Sequence, residues 1–140
     1  MNQFLSSLPT MLGGLLIAAA TYWFTKKKER EAEWRKEKLA YYKAFIESLS
    51  GIAGSDNSIE GQRTFTRASN NLLLFAPQSV VQSLENFRSG IRVSNDLPIQ
   101  EHDKLLTTLI KEIRKDIKIS PSDSSEFSAK IWASGTNPQT

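Results

Sequence analysis

From Phe4 to Phe24 the chain runs 21 residues without an ionisable side chain, and Lys26-Lys27-Lys28-Glu29-Arg30 follows at once. A helix of that length spans about 31 Å, close to the roughly 30 Å hydrocarbon core of a bilayer. The pattern predicts a transmembrane helix. After it the apolar residues thin out and recur three and four apart, the signature of helices with one buried face. No stretch alternates strictly enough for a strand, and no internal repeat is visible. The expected fold is all-α: an N-terminal transmembrane helix over 1–25 that continues into a cytoplasmic antiparallel helical bundle.

The span is moderately apolar. Phe4, Leu5, Leu8, Leu12, Leu15, Leu16, Ile17 and Phe24 together favour insertion by about 2–5 kcal/mol. Ser6, Ser7, Pro9, Thr10, Gly13, Gly14 and Thr21 work against that sum. Tyr22, Trp23 and Phe24 sit at one end, as an aromatic belt at the headgroups would. Pro9 lies near the helix start, where a missing N–H costs little. A cleavable signal peptide fits less well. Met1-Asn2-Gln3 lacks a basic region, and cleavage after Ala18-Ala19-Ala20 would leave Tyr-Trp-Phe just inside a new terminus. A core helix of a soluble protein would rarely exclude charge for so long. The flanking charge lies on the C-terminal side, so the N-terminus is expected outside and the rest in the cytoplasm of a cell inner membrane.

Within the span Ser7, Thr10, Gly14, Ala18 and Thr21, followed by Thr25, fall three or four apart and form one stripe. Small residues at such spacing let helix backbones approach, which predicts lateral self-association and a homo-oligomer. Charge adds a second feature. Residues 26–38 hold seven basic and four acidic side chains, which accounts for the whole net charge of +3; the other residues carry eleven of each sign. Lys26, Lys27, Lys28 and Arg30 are therefore placed to meet anionic lipid headgroups, at about 1 kcal/mol each near the surface. A nucleic-acid-binding domain would carry its basic excess on its folded surface, so nucleic acid is disfavoured as a partner.

Residues 26–50 contain no Gly or Pro and extend the first helix into a rod of about 40 residues, or about 60 Å. Its expected core face is Trp34, Tyr41 or Tyr42, Phe45, Ile46 and Leu49. The remainder of the bundle, 51–134, opens with a loop at 51–58. Asn57 and Glu60 then form a capping box for a helix reaching about Phe75, with Phe65, Ala68 and Leu72 buried and Ile59 and Phe75 as further candidates. Pro77 starts a third helix bearing Val80, Val81, Leu84, Phe87 and Ile91. Pro98 starts a fourth bearing Leu105, Leu106, Leu109, Ile110, Ile113 and Ile117. Ser120-Pro121 ends it. Phe127, Ile131 and Trp132 are expected to dock on the bundle, and 135–140 to form a mobile tail.

Reactive chemistry is sparse. There is no cysteine and one histidine. His102, in Gln100-Glu101-His102-Asp103-Lys104, offers too few ligands for a metal site and reads as an exposed helix-start residue. No nucleophile elbow appears, and Gly51-Ile52-Ala53-Gly54 lacks the Lys-Ser or Lys-Thr of a phosphate loop. Glu112 and Asp116 share a helix face but stand among Lys111, Arg114, Lys115 and Lys118, which reads as a solvated, mutually screened surface. No catalytic residue, cofactor or metal is expected, and the chain is not read as an enzyme.

Tyr41-Tyr42-Lys43-Ala44-Phe45-Ile46, Asn71-Leu72-Leu73-Leu74-Phe75-Ala76-Pro77 and Leu109-Ile110-Lys111-Glu112-Ile113-Arg114-Lys115-Asp116-Ile117, after an N-terminal span, resemble small membrane-anchored helical proteins of bacteria and their phages. The resemblance implies a prokaryotic inner-membrane setting and a link to phage–host conflict, and it assigns no functional residue. Two functions follow as expectations. One is a single-pass anchored interaction module that self-associates and recruits or senses a protein partner or signal ligand at the cytoplasmic face. The other is an anti-phage defence effector that oligomerises and perturbs the inner membrane.

Overall fold

The computed structural model describes residues 2–92, 98–119 and 122–131, apart from the side chains of 2–11 and of Ser55. These residues form an all-helical protein. Helix α1 (Asn2–Ser48) is followed by two 3-10 turns (Leu49–Ile52 and Gly54–Asp56), then α2 (Ile59–Leu72), α3 (Gln78–Gly90) and α4 (Ile99–Asp116). The chain divides into two compact units, Met1–Glu37 and Lys38–Thr140. Residues 93–97, the expected helix stop at Ser120-Pro121, Trp132 and the tail at 135–140 lie outside the described residues.

The first unit is helix throughout its described length, and among the described residues no helix is long and apolar enough to cross a membrane. The expected transmembrane span at Phe4–Phe24 is therefore not found among the described residues. Starting from Leu12, the first residue with a described side chain, a bilayer-length window runs into Lys26, Lys27, Lys28 and Glu29. The charge dilutes the apolar run. Trp34, expected to pack in the core, is 53% exposed.

The second unit is a helical bundle. Tyr42, Phe45 and Leu49 from α1 and the turn after it, Phe65, Ala68 and Leu72 from α2, Val80, Leu84 and Phe87 from α3, and Leu106, Leu109 and Ile113 from α4 form one buried core. Rings link the layers: Phe45 to Phe65 at 5.9 Å and Phe65 to Phe87 at 6.3 Å. Tyr42 lies 5.7 Å from Phe75 at one end of α2, while Gly51 meets Gly61 at its other end. These two helical stretches thus run in opposite directions. Ser79 at the start of α3 hydrogen-bonds Glu112 near the end of α4, so this pair is opposed as well. Ile46 and Ile59 fall outside the core and are exposed, Val81 is half-buried, and Ile91, Leu105, Ile110 and Ile117 are half-buried against the core.

Helix ends refine the expected boundaries. Ser58 caps α2, its hydroxyl accepting from Gly61 N–H at 3.0 Å, whereas Asn57 accepts from the Gln62 side chain at 2.9 Å. The cap therefore sits one residue later than the capping-box pattern placed it. α2 also stops at Leu72, before Phe75, and the chain turns through Leu73–Ala76. After α4 a segment without regular secondary structure folds back. Asp123 accepts from Arg114 Nε at 2.7 Å, Phe127 lies under the same guanidinium at 5.1 Å, and Ala129 exchanges two hydrogen bonds with the Thr107 hydroxyl.

Candidate functional site

The expected association and headgroup residues all belong to the first unit. Ser7 and Thr10 lie outside the residues whose side chains are described. Gly14, Ala18 and Thr21 are exposed on α1, and a Cβ built on Gly13 or Gly14 would meet nothing within 4 Å. Around them the helix is densely apolar. Leu12, Leu15, Leu16, Ile17, Tyr22, Trp23 and Phe24 are each 57–72% exposed. At about 100° per residue these seven side chains surround the helix except for one arc of about 140°. Gly14, Ala18, Thr21 and Thr25 occupy that arc. The helix therefore presents large apolar groups on most of its circumference and a narrow seam where its backbone is approachable.

The apolar run ends in paired aromatic and basic residues. Trp23 and Phe24 stack edge-to-face at 5.2 Å. Lys27 Nζ stands 5.5 Å from the Trp23 ring and Lys26 Nζ 6.0 Å from the Tyr22 ring, each one turn along the helix. Lys26 also pairs with Glu29 at 2.8 Å. That hydrogen bond and the carboxylate's charge hold the ammonium above its ordinary pKa, so Lys26 stays charged across the physiological range. The Thr25 hydroxyl donates back to Thr21 C=O at 2.9 Å, which hides a polar group at the edge of the apolar zone. Lys28 and Arg30 have no ion pair among the described residues and are free to reach other anions. Apolar shaft, aromatic collar and basic rim follow one another within about two turns.

Chemistry in the second unit differs from the sequence-based expectation at two places. Asp116 is not on a solvated face: its side chain is 14% exposed and Lys38, 16% exposed, lies 2.9 Å away. Tyr42 donates to the same carboxylate at 2.6 Å. Burial, then the hydrogen bond to Asp116, pushes the Tyr42 phenol well above its ordinary range. No sequence pattern signals this triad, because its members are 74 and 78 residues apart. His102 is the second correction. It is half-buried in the first turn of α4, and its Nε2 is shielded from solvent with no hydrogen-bond partner among the described residues.

Among the described residues no group of three or more His, Asp or Glu side chains could hold a metal ion. No protein-family model matches the chain, and neither does any curated protein or solved structure.

Proposed function

We propose that this protein is a single-pass, membrane-anchored helical module that self-associates and recruits or senses a partner at the cytoplasmic face of the membrane. One observation carries the proposal: seven large apolar side chains between Leu12 and Phe24 are more than half exposed around α1. Burying a side chain of this kind is worth about 1.5–3 kcal/mol, so leaving seven in water on one helix is a strong drive towards an apolar phase. The uncharged stretch Phe4–Met11 precedes them in the sequence. With it, the apolar run reaches the length a bilayer requires.

The collar and rim supply the boundary and the orientation. Tyr22, Trp23 and Phe24 suit the headgroup layer, and Lys26, Lys27, Lys28 and Arg30 favour the cytoplasmic leaflet, where anionic lipids concentrate. The seam of Gly14, Ala18 and Thr21 is where a second copy approaches. Lipid tails give no hydrophobic reason for helices to associate, so close backbone packing along small residues drives it. The bundle is assigned a binding role, not a catalytic one.

Lysing cells that express the full-length chain, without detergent, and sedimenting their membranes tests the anchor. The uncleaved protein should pellet, resist alkaline carbonate and be released by detergent. Recovery of intact chain in the high-speed supernatant overturns the proposal.

A further inference from the structure

At the end of the bundle where α3 finishes and α4 begins lies a cavity of about 660 Å³. That volume is within the range of small-molecule sites, roughly 300–1,000 Å³. Its apolar wall comes from Phe65, Ile99 and Ile131, and its polar wall from Arg88, Arg92 and His102. Two carboxylates, Glu85 and Asp103, complete the charge balance of the lining. Glu85 occupies one nitrogen of Arg88, Nη1, at 3.1 Å. Arg92 has no ion pair among the described residues, and it lies four residues after Arg88, just past the end of α3.

The His102 imidazole stands in this wall, its Nε2 buried and without a hydrogen-bond partner among the described residues. A shielded polar atom without a partner is unfavourable. A guest that offers it a hydrogen bond offsets that cost. The charges narrow the class of guest. Two guanidinium groups against two carboxylates leave little net field, which disfavours a polyanion. One guanidinium without a salt bridge, an incompletely engaged neighbour and an unsatisfied imidazole favour a single anionic group. The isoleucine and phenylalanine surfaces favour an apolar body attached to it.

We propose that this cavity binds a small organic anion, a single phosphate or carboxylate carried on an apolar body, with Arg92 and Arg88 meeting the charge and His102 hydrogen-bonding beside it. The site gives the bundle a ligand to sense, and it stands or falls independently of the anchor, because every residue in it belongs to the second unit.

Titration calorimetry on the full-length chain in a mild non-ionic detergent, which keeps it in solution whether or not it inserts into a bilayer, tests it, with 1-naphthyl phosphate as the probe and detergent buffer as the blank. Saturable binding at one site per chain is expected. Inorganic phosphate alone and neutral 1-naphthol should each bind at least tenfold more weakly. Arg92→Gln, at an exposed position where folding is not at stake, should weaken the probe about tenfold; Arg67→Gln, outside the cavity, should leave it unchanged. No heat above the blank overturns the proposal. So does equal binding of 1-naphthol or inorganic phosphate, or an unaltered affinity in Arg92→Gln.

Discussion

Tyr42 shows how one side chain ties distant parts of the chain together. Its ring is in the core and its hydroxyl reaches Asp116 on α4, which also holds Lys38. Removing the hydroxyl leaves the carboxylate with the lysine alone, so Tyr42→Phe should cost about 1–2 kcal/mol of bundle stability, read by denaturant titration. The triad also fixes a pH dependence. The folded protein holds the phenolic proton more tightly than the unfolded chain, where it leaves near the ordinary value of 10.0. The unfolded state therefore binds fewer protons above that pH. The stabilisation is complete below pH 10 and is lost as pH rises through it towards the raised folded value. Melting temperatures of the wild type should fall steeply above pH 10, and those of Tyr42→Phe less so. Tyr42 and Asp116 were each visible in the sequence as parts of helical patterns, but the sequence could not decide between Tyr41 and Tyr42 as the core residue, nor show that Asp116 had a buried partner.

At the scale of elements, two backbone features set the bundle's shape, and neither was legible as a motif. The turn after α1 touches α2 through two glycines. A Cβ on Gly61 would lie 2.7 Å from Gly51 C and 2.8 Å from its Cα, against backbone that cannot swing aside. In a helix interior, Gly to Ala normally gains about 1 kcal/mol. Here overpacking of about 1–3 kcal/mol or more opposes that gain, so Gly61→Ala should destabilise by about 2 kcal/mol in the same titration. The end of α4 is the second feature. Lys118 takes φ 58°, Ile119 N–H returns to Arg114 C=O at 3.0 Å, and Lys118 N–H to Lys115 C=O at 3.0 Å. This is a Schellman ending with lysine where glycine is usual. The left-handed conformation costs a side chain about 1–2 kcal/mol, more than the extra freedom of glycine, so Lys118→Gly should stabilise by about 0.5–1 kcal/mol. Ser120-Pro121 drew attention as the helix stop because proline has a sequence signature; the lysine has none. Caps behaved alike: Ser58 and Asn57 are both good capping residues, and the backbone chose Ser58.

For the whole molecule, the exposed seam on α1 predicts how copies meet. Replacing Gly14 and Ala18 with leucine fills the arc that the large side chains leave open, so discrete crosslinked oligomers in membranes should collapse to monomer while the protein still sediments with membranes. Retained oligomers would move the interface to another face. What the sequence determined by itself was the set of features that depend on neighbours in the chain: an all-helical fold, the stretches that form each helix, most of the core stripe, the uncharged run and its basic rim. Periodicity and charge are local quantities, and a helix reports them within two turns. Only the tertiary structure decided which of two adjacent tyrosines is buried, that Trp34 and Ile46 are left exposed, that Asp116 is enclosed, and that His102 borders a cavity. Each of those depends on residues brought together from far along the chain, where packing and desolvation, not sequence spacing, determine the outcome.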